Sequence, residues 1–209
     1  MHAIQELAAF VASHKKGNVS QEAKDMACLL VSDLVAAASA GYNSPLATAA
    51  RKAAVAAYGS GNSQVWLSDH KLSIVGAAMS NSAAASALDI DDGHRGAAGH
   101  PGAAVLPAVL AAAETLGSDD IEIFDAIILG YDVALRVATS RPTGTFPTYS
   151  SGLWGAYGVA AGVGYLLGLN QEELANALGI AGAESPVSYP TGTSKYQGSS
   201  VKEVIPPAV

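Results

Sequence analysis

Runs of alanine and other small residues dominate this chain, and they constrain it to closely packed helices. The stretch GAAMSNSAAASAL within residues 72–88 is the clearest case. Alanine is the best helix former, so such runs read as helix before any periodicity is counted. Small side chains also let backbones approach closely, which places 72–88 at the centre of a bundle. The breaks between runs carry helix punctuation. Ile4, Leu7, Ala8 and Val11 mark one face of a short helix over 2–14, ended by Gly17-Asn18. Ser20 reads as the cap of a helix to about residue 40, and Gly41 ends it. Ser44-Pro45 opens the next, which stops at Gly59-Ser60-Gly61. Pro101 opens an apolar helix to about 116, and Ser118 caps another to about 137. A proline- and glycine-rich loop follows at 141–152. A helix pair then spans 154–167 and 171–180, with Asn170 as cap. Only SQVWLS at 63–68 has a β-flavoured composition, and it is too short to define a sheet. About eight helices with short links predict an all-α, multi-helix bundle.

Charge narrows the partners. The net charge is −7, and no basic cluster exceeds the pairs Lys15-Lys16 and Arg51-Lys52, so the footprint of a nucleic-acid binder is missing. No run of about 18 apolar residues suggests a membrane span. The N-terminus lacks the basic start of a signal peptide, so the expected compartment is the cytoplasm. The single cysteine, Cys28, falls in a helical run and is expected to be a buried small hydrophobe. Charged residues make up only 14%, low for a soluble monomer, which points to surface hidden in a homodimer or against another domain.

One segment concentrates the chemistry. Between residues 89 and 100 lie Asp89, Asp91, Asp92, His94, Arg95 and His100, flanked by two apolar helices and interrupted by Gly93, Gly96 and Gly99. Such a knot is desolvated at its base, and coupled carboxylates and imidazoles there suit general acid–base work. Three blander uses compete. Asp91 or Asp92 could cap or close a turn, His100 before Pro101 could be a turn histidine, and Asp and His together could bind a metal. No H-E-x-x-H or C-x-x-C accompanies the last, so a metal site is the weakest of the three. Gly152-Leu153-Trp154-Gly155-Ala156-Tyr157-Gly158 superficially matches a nucleotide loop, but no strand precedes it and helix packing is the expected use. Elsewhere, ionisable residues on helix faces are expected to be solvated.

The string ALDIDDGHRGAAGHPGAAVLPAVLAAAE resembles the D-x-D-D…H-P segment of the MmgE/PrpD family. GYDVALRV at 130–137, WGAYGVAAGVGYLLGL at 154–169 and VKEVIPPAV at 201–209 agree with that family in order and spacing. The resemblance implies a helical first domain, here residues 1–209, followed in the family by a smaller α+β domain that this chain lacks. It implies a dimeric, cofactor-independent lyase or isomerase that moves a proton beside a carboxylate of a small di- or tricarboxylic acid. Carried over by residue, it assigns His100 as acid/base, Lys202 as anchor for a carboxylate or the transition state, and Asp89 as orienting an imidazole or binding a substrate hydroxyl. Asp92 and His94 would support them, with Tyr149, Arg95 and Ser151 at the substrate.

Two departures shape the expectation. Many members carry His-Pro before the glycine-rich helix, where this chain has Tyr149-Ser150. Tyrosine donates hydrogen bonds but is a poor base at neutral pH. That argues against decarboxylase-like and methylcitrate-dehydratase-like machinery, and His94 could take over the missing imidazole's role. The second is length: a separate chain could supply the second domain of a split enzyme. Alternatively, the chain is a non-catalytic helical module that dimerises or binds a partner.

Overall fold

The computed structural model describes residues 2–141 and 150–185, together with the backbone of 195–196 and 199–200. Eight helices lie among the described residues: α1 (Ala3–Ala12), α2 (Gln21–Gly41), α3 (Pro45–Ala57), α4 (Ile74–Ser86), α5 (Gly102–Leu116), α6 (Asp120–Thr139), α7 (Gly152–Leu166) and α8 (Gln171–Glu184). Their starts follow side-chain chemistry. Ser20 accepts from the Ala23 N–H, and Ser44 from the Ala47 N–H with Pro45 in the first turn. Asn170 caps α8 through a reciprocal box with Glu173. For α6 the cap is Asp119 and not Ser118, because Asp119 forms a box with Glu122 that serine one residue earlier cannot make.

α5 runs through the core, with every residue from Gly102 to Val109 buried. α4 covers one side of it, also buried almost throughout, and α6 and α7 pack on the other side. Glycine lets α6 and α7 nearly touch. A Cβ on Gly158 would stand 2.5 Å from the Gly130 carbonyl oxygen, and one on Gly155 would stand 2.9 Å from the Ala104 Cβ. The glycine-rich stretch at 152–158 is therefore a packing stripe, as expected. Trp154 fills the space beneath the α4–α5 connection and is 1% exposed.

Three features depart from the sequence reading. A small antiparallel hairpin, β1 (Ser60–Gln64) with β2 (Lys71–Leu72), precedes α4. β1 begins in the Gly/Ser/Asn segment before the β-flavoured stretch, and its anchors are polar: Ser63 Oγ donates to the Ala111 carbonyl and the Gln64 N–H to Glu114. β3 (Lys195–Tyr196) pairs antiparallel with β4 (Ser199–Ser200). Cys28 is exposed and not buried, because Ala27 and Leu34 supply the inward face of α2 there. No single helix among the described residues is long and apolar enough to cross a membrane.

Candidate active site

The α4–α5 connection carries the acidic and imidazole residues, and its path is set by local hydrogen bonds. Asp89, at φ 58°, turns the chain out of α4 in the left-handed region, which aspartate tolerates better than most residues. Residues 94–99 then form a pinched turn, closed by the His94 N–H on the Gly99 carbonyl at 2.9 Å. The His94 ring helps to close it, with Nδ1 accepting from the Ala97 N–H at 3.1 Å. Ala98 also adopts a left-handed conformation, φ 52°. The turn brings His100 back beside Asp89 and Asp91.

There the imidazole stands between two carboxylates. Its Nε2 lies 3.2 Å from Asp89 Oδ1, and its Nδ1 lies 3.5 Å from Asp91 Oδ2 and 3.3 Å from the Asp91 carbonyl oxygen. The carboxylates differ in setting: the Asp89 side chain is 62% exposed and that of Asp91 0%. The His100 backbone is fixed as well, its N–H donating to Ser151 Oγ at 2.9 Å from the start of α7. Ser151 is itself fully buried.

Asp92 faces away from this group and serves α5. Its Oδ1 accepts from the Gly102 N–H at 2.9 Å, and its Oδ2 accepts from the Tyr131 hydroxyl at 3.0 Å. Pro101 offers no side-chain cap, so this carboxylate takes that place at the positive end of the helix. Burial pushes the Asp92 carboxyl above the usual range, against the opposing pull of Gly102, Tyr131 and His100. Burial, and then the adjacent Asp92 carboxylate, hold the Tyr131 hydroxyl well above the usual tyrosine value, so it remains a donor. A cavity of about 330 Å³ opens beside this pair, lined by Met26, Leu30, Asp92, His94, Tyr131 and Leu135.

Of the residues singled out by sequence, the structure gathers Asp89, His100 and Ser151 with Asp91 around one imidazole. Asp92 sits one residue along, holding the helix start. His94 and Arg95 lie exposed on the turn. Tyr149 and Lys202 lie outside the described residues. Sequence reasoning missed the separate parts played by Asp91 and Tyr131. The signal for Tyr131 was a hydroxyl following a packing glycine on a mostly apolar helix.

Asp89, Asp91 and His100 bring potential ligand atoms within 4.8 Å of one another. Three ligand atoms that close could meet one metal ion, and the same arrangement, an imidazole between two carboxylates, suits proton exchange.

The chain is 36% identical over 119 residues to cis-aconitate decarboxylase from Aspergillus terreus, a match covering 53% of this chain and 24% of that protein. The same protein from Aspergillus terreus strain NIH 2624 / FGSC A1156 matches equally. The matched part is thus about a quarter of the length of these relatives. The description "MmgE/PrpD N-terminal domain" matches residues 5–206, nearly the whole chain and the entire α4–α5 connection. The chain therefore belongs to the MmgE/PrpD family, as its helical N-terminal domain.

Proposed function

We propose that this domain supplies the proton-transfer machinery of a cofactor-independent lyase or isomerase acting beside a carboxylate of a small di- or tricarboxylic acid. The observation that carries this reading is the His100 imidazole, held on a buried side by Asp91 and presented with Asp89 on an exposed one. A carbon acid of this class needs a base that can reach the Cα–H. It also needs donors or cations where charge develops on the neighbouring carboxylate. His100 Nε2 takes the proton, and Asp89 orients a substrate hydroxyl or the protonated ring. Lys202, with Tyr149 and Arg95, is assigned to the substrate's carboxylates, whereas Ser151, expected there from the sequence, is buried and holds the His100 backbone instead. Loss of hydroxide from the resulting carbanion completes a dehydration, and return of the proton to the other face completes an epimerisation. Tyr149, standing where many members have histidine, argues against decarboxylase-like and methylcitrate-dehydratase-like machinery. The working unit is a homodimer completed by the family's second domain, on the same chain or another.

The test is solvent exchange in deuterated water with a panel of hydroxy- and amino-dicarboxylates, the domain being assayed alone and with the completing domain. Deuterium entering the carbon beside a carboxylate is the expected result. His100→Ala should abolish exchange, a loss of about 10²-fold or more, with an unchanged circular dichroism spectrum. Full exchange in that variant would remove His100 from the reaction.

A further inference from the structure

We propose that Asp91 is a positioning residue that fixes the tautomer of His100, keeping the proton on Nδ1 so that Nε2 is the atom offered for proton transfer. The inference rests on the reading of His100 as the acid/base. It departs from the residue assignment drawn from the family resemblance, which gave the orienting part to Asp89.

The geometry separates the two aspartates. Among the described residues, both groups facing Nδ1 belong to Asp91, a carboxylate oxygen at 3.5 Å and the backbone carbonyl at 3.3 Å. A carbonyl only accepts, and so does an ionised carboxylate. In a neutral ring, one nitrogen carries the proton and the other the lone pair. Both nitrogens face a carboxylate, but among the described residues Nδ1 meets two acceptors, one on a fully buried side chain, and Nε2 only one, which is solvated. This difference assigns the proton to Nδ1. Nε2 is left facing Asp89, whose side chain is 62% exposed and so lies where a substrate group can take its place, whereas that of Asp91 is 0% exposed.

The surroundings hold Asp91 in place from both sides. The following residue, Asp92, is bonded to the Gly102 N–H and the Tyr131 hydroxyl, and the preceding turn leaves α4 at Asp89. The ring's other support, the His100 N–H on buried Ser151 Oγ, fixes the backbone from which the imidazole swings. An imidazole anchored at its backbone and at one nitrogen retains little freedom to exchange the roles of its two nitrogens. Tautomer control of this kind matters in catalysis because the wrong tautomer places the lone pair away from the substrate.

The experiment is nitrogen-15 NMR of the whole chain labelled at histidine, at a pH where the His100 ring is neutral, with its signals assigned by their loss in His100→Gln. Long-range nitrogen–proton correlations distinguish the two tautomers. The expected result is a predominantly Nδ1–H ring in the unmodified protein. In Asp91→Asn, whose amide can donate, a substantial fraction shifts to the Nε2–H form, while Asp89→Asn stays predominantly Nδ1–H. A predominantly Nε2–H ring in the unmodified protein would overturn the proposal, and that reading needs no variant to fold. A folded Asp91→Asn protein with the original pattern would overturn it too. The measurement reads the ring whether or not the chain turns over a carboxylic acid. Its failure is therefore distinct from failure of the exchange assay, which would remove the proposed reaction instead.

Discussion

At the scale of single residues, Asp92 shows how burial and hydrogen bonding compete at one carboxyl group. Burial raises its pKa and its two donors oppose the rise, yet burial prevails. The folded protein therefore holds the Asp92 proton more tightly than the unfolded chain does. The corresponding stability is fully present below the unfolded value of about 3.9. It is lost as pH rises through the folded pKa. Asp92→Asn removes this dependence while keeping an oxygen for the Gly102 N–H. The expected outcome in urea titrations is that the stability of the unmodified protein relative to the variant is greatest in acid and falls towards neutral pH. A difference constant with pH would contradict it. The sequence did place Asp92 in a polar knot, and cap or turn closure was one of its two open readings. What it could not supply was which of three neighbouring carboxylates turns inward. That depends on the left-handed turn at Asp89 and on Tyr131 arriving from a helix 39 positions away.

At the scale of elements, the helices were legible because serine, proline, asparagine and glycine mark their ends by local chemistry. The hairpin at 60–72 was not, since its anchors are long-range polar contacts to α4 and α5. Which face of α2 turns inward was equally hard to read: alanine-rich helices show little contrast between faces, and so Cys28 was misplaced. Asp125 is the clearest miss. A charge on a helix face ordinarily reads as solvated, yet this one is 0% exposed. It ties three elements together: its Oδ2 accepts from the Gly17 N–H at 2.6 Å and the Tyr165 hydroxyl at 3.0 Å, and lies 3.3 Å from His14 Nε2. The α1–α2 link is thereby fastened to α6 and α7. Burial and then Asp125 raise the Tyr165 hydroxyl to about 12, which keeps it a donor over the working range. Asp125→Ala would leave the partly buried Gly17 N–H and Tyr165 hydroxyl without their acceptor at a cost of about 1–3 kcal/mol, whereas Tyr165→Phe removes one bond for about 0.5–1.5 kcal/mol. Equilibrium unfolding of both variants checks the order. Equal effects would show that Asp125 acts through Tyr165 alone.

At the scale of the whole molecule, the low charge content has a structural counterpart. α2 presents Met26 at 53% and Leu29 at 64% exposure, one turn apart, with Cys28 between them also exposed. Large apolar side chains grouped this way on a chain only 14% charged mark a face that gains by being covered. The proposed homodimer gives that face an occupant, a second copy of the chain, since closed two-fold pairing is the commonest assembly of identical chains. If α2 lies in the interface, Met26→Lys with Leu29→Lys should convert a dimer to a monomer in light scattering without loss of helical content. Both side chains are more than half exposed, Met26 at the rim of the cavity beside Asp92 and Tyr131, so the helical fold tolerates the change. Cys28, exposed on the side of α2 that flanks Leu29, provides a second readout at the edge of this surface. Its thiol should be slow to react with a chromogenic disulfide in the concentrated dimer and fast in the double variant. A double variant that remains dimeric, with Cys28 equally reactive before and after, would move the interface elsewhere and leave the α2 face for the family's second domain to cover.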